Sequence, residues 1–237
     1  MPIKLSDTLK KLLIAYVAVF VIQHGVDQFA GGNLKSWLAL IPAYTLQGRV
    51  WQIFTYSFLH SDVAQLILNL LVLAFVGSDL EAIWGTKKFL TYYFYCLLMA
   101  GFFYLLIQVL FWNPVNLLLP MVGASGGIYG LLLAFGLLFP ERDMLFMMLF
   151  PMKAKQFVWI LAGVEFLQAV FSGQGGLSAL AGLSGMAAGF LFLWLQAKNL
   201  HSKRTSQEGA RKKNASHLKL VSRDPREDDD KPPRTWH

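Results

Sequence analysis

Polar and apolar positions along the 237-residue chain alternate on the scale of whole segments, not single residues. A helix crossing a bilayer needs about 20 mostly apolar residues, because it rises about 1.5 Å per residue across roughly 30 Å of hydrocarbon. Six stretches read as such spans: residues 11–29, 63–76, 89–111, 123–139, 157–171 and 177–196. The apolar run 144–150 is expected to precede the fifth span or to lie as an interfacial or core segment. The first span follows a short basic leader without a small-residue cleavage site, so it reads as retained and not as a signal peptide. The expected organisation is a leader over 1–10, a six-helix membrane domain over 11–197, and a polar, disordered tail over 198–237.

Composition agrees with this pattern. Hydrophobic residues make up 55% and charged residues 15% of the chain, which excludes a disordered protein, a nucleic-acid module and an ordinary cytosolic enzyme. One Cys (Cys96) and five scattered His show no ligand spacing, so neither a metal site nor a cofactor is expected.

The net charge of +7 sits largely in the tail, where eleven Lys/Arg face six Asp/Glu. Lys4, Lys10 and Lys11 lie in the leader, Lys87 and Lys88 between spans two and three, and Arg142, Lys153 and Lys155 between spans four and five. The loops 112–121 and 172–176 carry no charge. The positive-inside rule then places both termini in the cytoplasm, and the expected setting is a bacterial inner membrane. The basic tail suits anionic lipid and not nucleic acid. The long first loop, with Trp37, Pro42 and Trp51, is expected at the outer interface, where Trp is favoured.

Two stripes of small residues share one helical spacing. Gly123, Gly127, Gly130 and Ala134 lie on span four, and Ser178, Gly182, Gly185 and Gly189 on span six, each at intervals of 4, 3 and 4. Small residues let helices approach closely within lipid, so these spans are expected to pack face to face. Span four, flanked by Pro120 and Pro140, is short. It is expected to start inside the membrane, with the preceding loop dipping in and Ser125 at the floor of a pocket open to the outer side.

The motifs resemble one family. Gly123-Ala124-Ser125-Gly126 is similar to the GxSG nucleophile motif of the rhomboid intramembrane serine proteases (peptidase S54). The stretch Trp51 to His60 resembles the family's first loop, and Leu66 and Asn69 resemble the start of its second span. Leu80-Glu81, Trp84-Gly85 and Phe89 resemble the segment that closes that span, and Gly185 to Gly189 the end of its sixth-span motif. The resemblance implies an all-α integral membrane fold: a six-transmembrane-helix bundle with a long interfacial first loop and a short fourth helix starting inside the membrane. It implies a serine-type endopeptidase scaffold acting on transmembrane segments of membrane-protein substrates or clients within the lipid bilayer.

Carried over by position, Ser125 stands as nucleophile, Asn69 as oxyanion donor, Gly123 in the oxyanion turn, and Tyr129 as the residue packing under the catalytic His. Two positions depart from the family. The catalytic His falls on Gly182, or on Ala179 if the pattern slides by one turn, and the second-span oxyanion His is Gln65. No His occurs between Ser61 and Leu200. A serine hydroxyl needs a base within hydrogen-bond reach, and loss of the His of such a dyad costs about 10⁶ in turnover. The resemblance therefore points to a pseudoprotease. The alternative is an active endopeptidase with His60 or Glu165 as base, and a third reading is a small channel or transporter. His60 otherwise reads as a support of the first loop, and Glu165 as bonded to backbone or Gln168 within its own span, or facing a polar cavity.

Overall fold

The computed structural model describes residues 5–29, 32–110, 116–146, 150–171, 179–180 and 182–198. Leader residues 1–4, the loop residues 111–115, 147–149 and 172–178 (Ser178 of the second stripe included) and the tail 199–237 lie outside them. The chain divides into two units, Met1–Trp194 and Leu195–His237. Of the second unit only residues 195–198 are described, and they are helical.

In the first unit the order is α1 (Asp7–Phe29), α2 (Leu34–Leu38), α3 (Pro42–Leu46), α4 (Gln52–Thr55), α5 (Val63–Val72), α6 (Ser78–Trp84), α7 (Thr86–Leu110), α8 (Ser125–Leu138), β1 (Asp143–Phe146), β2 (Phe150–Lys153) and α9 (Ala154–Phe171). Residues 182–194 form a further helix, α10. Among the described residues, four helices are long and apolar enough to cross a membrane: α1, the continuous helix Val63–Trp84, α7 and α9. The chain is thus an integral membrane protein with a mostly helical fold.

Helix ends follow local chemistry more than hydropathy. α1 starts at Asp7, earlier than the apolar run, because the Ser6 hydroxyl accepts the Leu9 N–H at 3.0 Å. The second span runs on to Trp84 through a π-helical turn, Leu73–Gly77, although Asp79 and Glu81 interrupt its hydropathy. It ends at Gly85, whose φ of +75° favours glycine and whose N–H reaches the Glu81 carbonyl at 2.8 Å. The Glu81 carboxylate accepts from the Ser6 hydroxyl at 2.6 Å and the Thr86 hydroxyl at 2.7 Å, tying the start of α1 to the α6–α7 junction.

The all-α expectation needs one correction. Asp143–Phe146 pairs antiparallel with Phe150–Lys153, so the described ends of the apolar run after span four are strands and not a helical extension of span five, while residues 147–149 lie outside the described residues. The run is too short to span, and Pro140 and Pro151 at its edges disfavour helix.

Large side chains fill the centre. Tyr16, Tyr56, Tyr92, Tyr93 and Phe89 are fully buried. The four tyrosine hydroxyls are satisfied: Tyr16 meets Tyr93 at 2.8 Å, Tyr92 donates to the Gly130 carbonyl at 2.7 Å, and Tyr56 to the Leu97 carbonyl at 2.7 Å. α8 is buried on most of its circumference, as expected of a helix apolar all round. Its glycines serve two neighbours at once. A Cβ on Gly127 would come within 2.6 Å of the Tyr93 ring and 2.8 Å of Leu97, both on α7. Gly126 lies against Ala100 of α7 and, through its backbone, against Gly185 of α10; Gly130 touches Cys96 and the Gly185 carbonyl. Gly189 abuts the Tyr92 hydroxyl and Cys96 Sγ. The small-residue stripe of span four is therefore split between α7 and α10, with Gly126, outside that stripe, making the closest approach to α10. α9 is held differently: of its eighteen residues, only Ala154, Val158 and Glu165 are buried.

Candidate functional site

The loop leading into α8 is irregular, and its backbone groups find partners in the first loop. Leu40 and Met121 exchange two hydrogen bonds at 3.0 and 2.9 Å, and the Gly123 N–H reaches the Tyr56 carbonyl at 3.0 Å. Without such partners, backbone at membrane depth would be too costly to keep. The first loop is itself stitched by Gln52, fully buried. Its Oε1 accepts from Thr45 Oγ1 at 2.9 Å and its Nε2 donates to the Ser36 carbonyl at 3.2 Å. Arg49 lies between the Trp37 and Tyr44 rings, 4.7 and 4.6 Å from their centroids.

Gly123 has φ of +109°, a conformation open to glycine, and sets Ser125 as the first residue of α8. That end of the helix carries the positive pole of the backbone dipole and unpaired N–H groups. Among the described residues, no hydrogen bond reaches the Ser125 hydroxyl.

Facing this turn is the start of α5. Asp62 caps it, accepting the Gln65 N–H at 2.8 Å. The Gln65 carboxamide is fixed by the Ser61 N–H, which donates to Oε1 at 2.8 Å. Its Nε2 then lies 2.7 Å from where a Cβ on Gly123 would stand, so an amide donor lies against the Ser125 turn. One helical turn on, Asn69 places its carboxamide 3.2 Å from His60 Nε2. His60 is fully buried, and its Nδ1 has no hydrogen-bond partner among the described residues. Burial holds the His60 imidazole below its ordinary pKa, while the Phe58 carbonyl and the Asp62 charge oppose this more weakly. His60 is therefore a neutral ring engaged with Asn69. Gln23 of α1 holds it from behind, donating to the His60 carbonyl at 3.0 Å and accepting its N–H at 3.2 Å. Sequence reasoning misses Gln23, whose signal is a carboxamide next to His24 at the end of a long apolar run.

A second cluster, Tyr129, Glu165 and Gly182, begins one helical turn beyond Ser125 on α8. The Tyr129 hydroxyl donates to Glu165 Oε1. Glu165 thus bonds across helices, from α9 to α8, and not within its own span. A Cβ on Gly182 would lie 2.6 and 2.7 Å from ring atoms of Tyr129 and 3.2 Å from Glu165 Oε2. The volume that a side chain at position 182 would need is occupied. Ala179, the alternative position, is buried and offers only a methyl group. Among the described residues, no group of three or more His, Cys, Asp or Glu is placed to hold a metal ion.

The sequence comparisons agree with this architecture. A family profile described as Rhomboid domain matches residues 47–199. Rhomboid-like protein 19 of Arabidopsis thaliana is 28% identical over 197 residues, covering 80% of this chain and 61% of that protein. Rhomboid protein 1, mitochondrial, of Saccharomyces cerevisiae is 28% identical, covering 82% of this chain and 56% of that protein. Rhomboid protease GluP of Bacillus subtilis is 30% identical over 122 residues, 49% of this chain and 22% of that protein. The chain spans about three fifths or less of the length of these relatives. The matched region runs from the first loop through α10 and takes in Gln65, Asn69, Ser125 and Gly182, so the chain belongs to the rhomboid family.

Proposed function

We propose that this chain is a non-proteolytic rhomboid: it receives transmembrane segments of other membrane proteins, holds them beside Ser125, and does not cleave them. Six spans with both termini in the cytoplasm, and lateral access between the second and fifth spans, complete the reading. The basic inner loops and the uncharged loops 112–121 and 172–176 support that orientation, with Lys35 and Arg49 of the first loop as the exception.

One observation carries the proposal. Position 182 has no side chain, and the room for one is taken by the Tyr129 ring and the Glu165 carboxylate. Of the two other candidate bases, His60 meets Asn69 and Glu165 meets Tyr129 through Oε1, and among the described residues neither is hydrogen-bonded to the Ser125 hydroxyl. A serine without a base loses about 10⁶ in turnover, on the order of 8 kcal/mol. Donors at the Ser125 turn remain: Gln65 Nε2 and the first N–H groups of α8 suit a peptide carbonyl, with Asn69 as a further oxyanion donor on this reading. Such a site binds and does not turn over.

The test is fluorophosphonate labelling of membranes containing the full chain beside Ser125→Ala. The expected result is no labelling above the Ser125→Ala background. The competing reading, an active endopeptidase with Glu165 as base, draws support from the closeness of Glu165 Oε2 to position 182. Labelling lost in both Ser125→Ala and Glu165→Gln would establish that reading and overturn the proposal.

A further inference from the structure

Glu165 is an acid placed inside a membrane helix. It is the twelfth residue of α9 and lies roughly 16 Å along that helix, near the middle of a bilayer of roughly 30 Å. It is 6% exposed. Among the described residues, its one partner is a neutral hydroxyl, that of Tyr129, on Oε1. The ion pairs between described residues are Lys10–Asp7, Arg142–Asp79, Lys153–Asp143 and Lys155–Glu141, and none involves Glu165. A carboxylate withdrawn from water with a single neutral donor is electrostatically incomplete. Its second oxygen, Oε2, has no hydrogen-bond partner among the described residues and lies 3.2 Å from where a Cβ on Gly182 would stand.

We propose that Glu165 is a recognition site for a basic side chain, lysine or arginine, carried within the bound transmembrane segment. The inference rests on the reading that the chain binds such segments, and it names their chemistry. A basic residue in the middle of a transmembrane segment faces the mirror-image difficulty: its charge is costly in lipid and is stabilised by an acid at the same depth. Its methylene stem lies along apolar helix surface while the cation reaches Oε2. Tyr129 contributes by fixing Oε1, so that the carboxylate presents its other oxygen in a set direction. Depth argues against a lipid ammonium headgroup as occupant, since headgroups lie at the interface and Glu165 lies near the midplane.

The full chain is reconstituted in phosphatidylcholine nanodiscs and titrated, by energy transfer, with a labelled polyleucine transmembrane peptide. One peptide carries a central lysine and its control carries norleucine there. The lysine peptide is expected to bind on the order of tenfold tighter, about 1.4 kcal/mol. Glu165→Gln is expected to remove that difference, and Glu165→Asp to keep part of it. Equal binding of the two peptides, or a lysine preference that survives Glu165→Gln, overturns the assignment of Glu165 but leaves the reading of segment binding intact. Binding of neither peptide overturns both. If Glu165→Gln binds neither peptide, Glu165→Asp decides, with a retained lysine preference supporting the site and equal affinities refuting it. Loss of the preference in ethanolamine-headgroup lipid would refute a peptide side chain as the occupant.

Discussion

Gly182→Ala adds a single methyl group, and the structure fixes what that methyl meets. It would stand 2.6 and 2.7 Å from Tyr129 Cε2 and Cδ2 and 3.2 Å from Glu165 Oε2. Carbon atoms rest at about 3.5–4.0 Å, so the ring must retreat by about 1 Å. It is not free to swing, because its hydroxyl is bonded to Glu165 on another helix. Overpacking of this kind costs about 1–3 kcal/mol. Against it, alanine gains about 1 kcal/mol over glycine in a helix. The expected net loss is about 1 kcal/mol. With Tyr129→Ala already present the overlap is gone, and the same substitution should gain about 1 kcal/mol. The coupling between the two positions is then about 2 kcal/mol, within the range for residues in contact. Equilibrium unfolding of the four proteins in detergent micelles measures it. A stability gain from Gly182→Ala in the otherwise unaltered chain, or the same effect in both backgrounds, would refute the reasoning.

Three further outcomes are expected. Gly123→Ala should cost about 1–3 kcal/mol in the same unfolding assay, since it forces a side chain into φ of +109° and onto Gln65 Nε2 at 2.7 Å. Glu81→Ala should cost about 2–4 kcal/mol, because the Ser6 and Thr86 hydroxyls both lose a charged acceptor, and amide exchange at the start of α1 should accelerate. Stability should fall as the medium is acidified. The folded His60 has a lower pKa than the unfolded one, so below the unfolded value of about 6.5 the unfolded chain binds more protons. The contribution of neutral His60 is thus present above that value and is lost as pH falls from there toward the lower folded-state value. His60→Gln should flatten that part of the stability–pH curve, and an unchanged slope would rule the mechanism out.

What was legible in the sequence was local chemistry. Asp62 reads as a cap from its place before an apolar run, and it caps α5. The prolines around span four mark a short helix, and α8 has fourteen residues. What was not legible was the pairing of distant residues. Nothing in the spacing of Tyr129 and Glu165 says that span five turns its acid toward span four and not toward Gln168. Gln23 and His60 are likewise far apart in the chain, and their reciprocal backbone bonds depend on how α1 meets the first loop. The strand pair after α8 was hidden because its apolar residues look the same to a hydropathy window whether they coil or extend. The glycines of span four were read as serving a single contact. Their division between α7 and α10 follows from the enclosure of α8, which no one-dimensional pattern contains.

The contact of Gly185 with the Gly126 backbone has a mechanical consequence. Where main chain rests on main chain there is no side chain to rotate or compress, so α8 and α10 move as one frame, with α7 keyed into the same glycines. α9 meets α8 more sparsely: Gly136 rests against Val158 and the Ala154 carbonyl, and the Tyr129–Glu165 bond ties the two helices again farther along. On the proposed reading, room for a guest helix would come from α9 giving way, while Ser125 stays fixed on the frame.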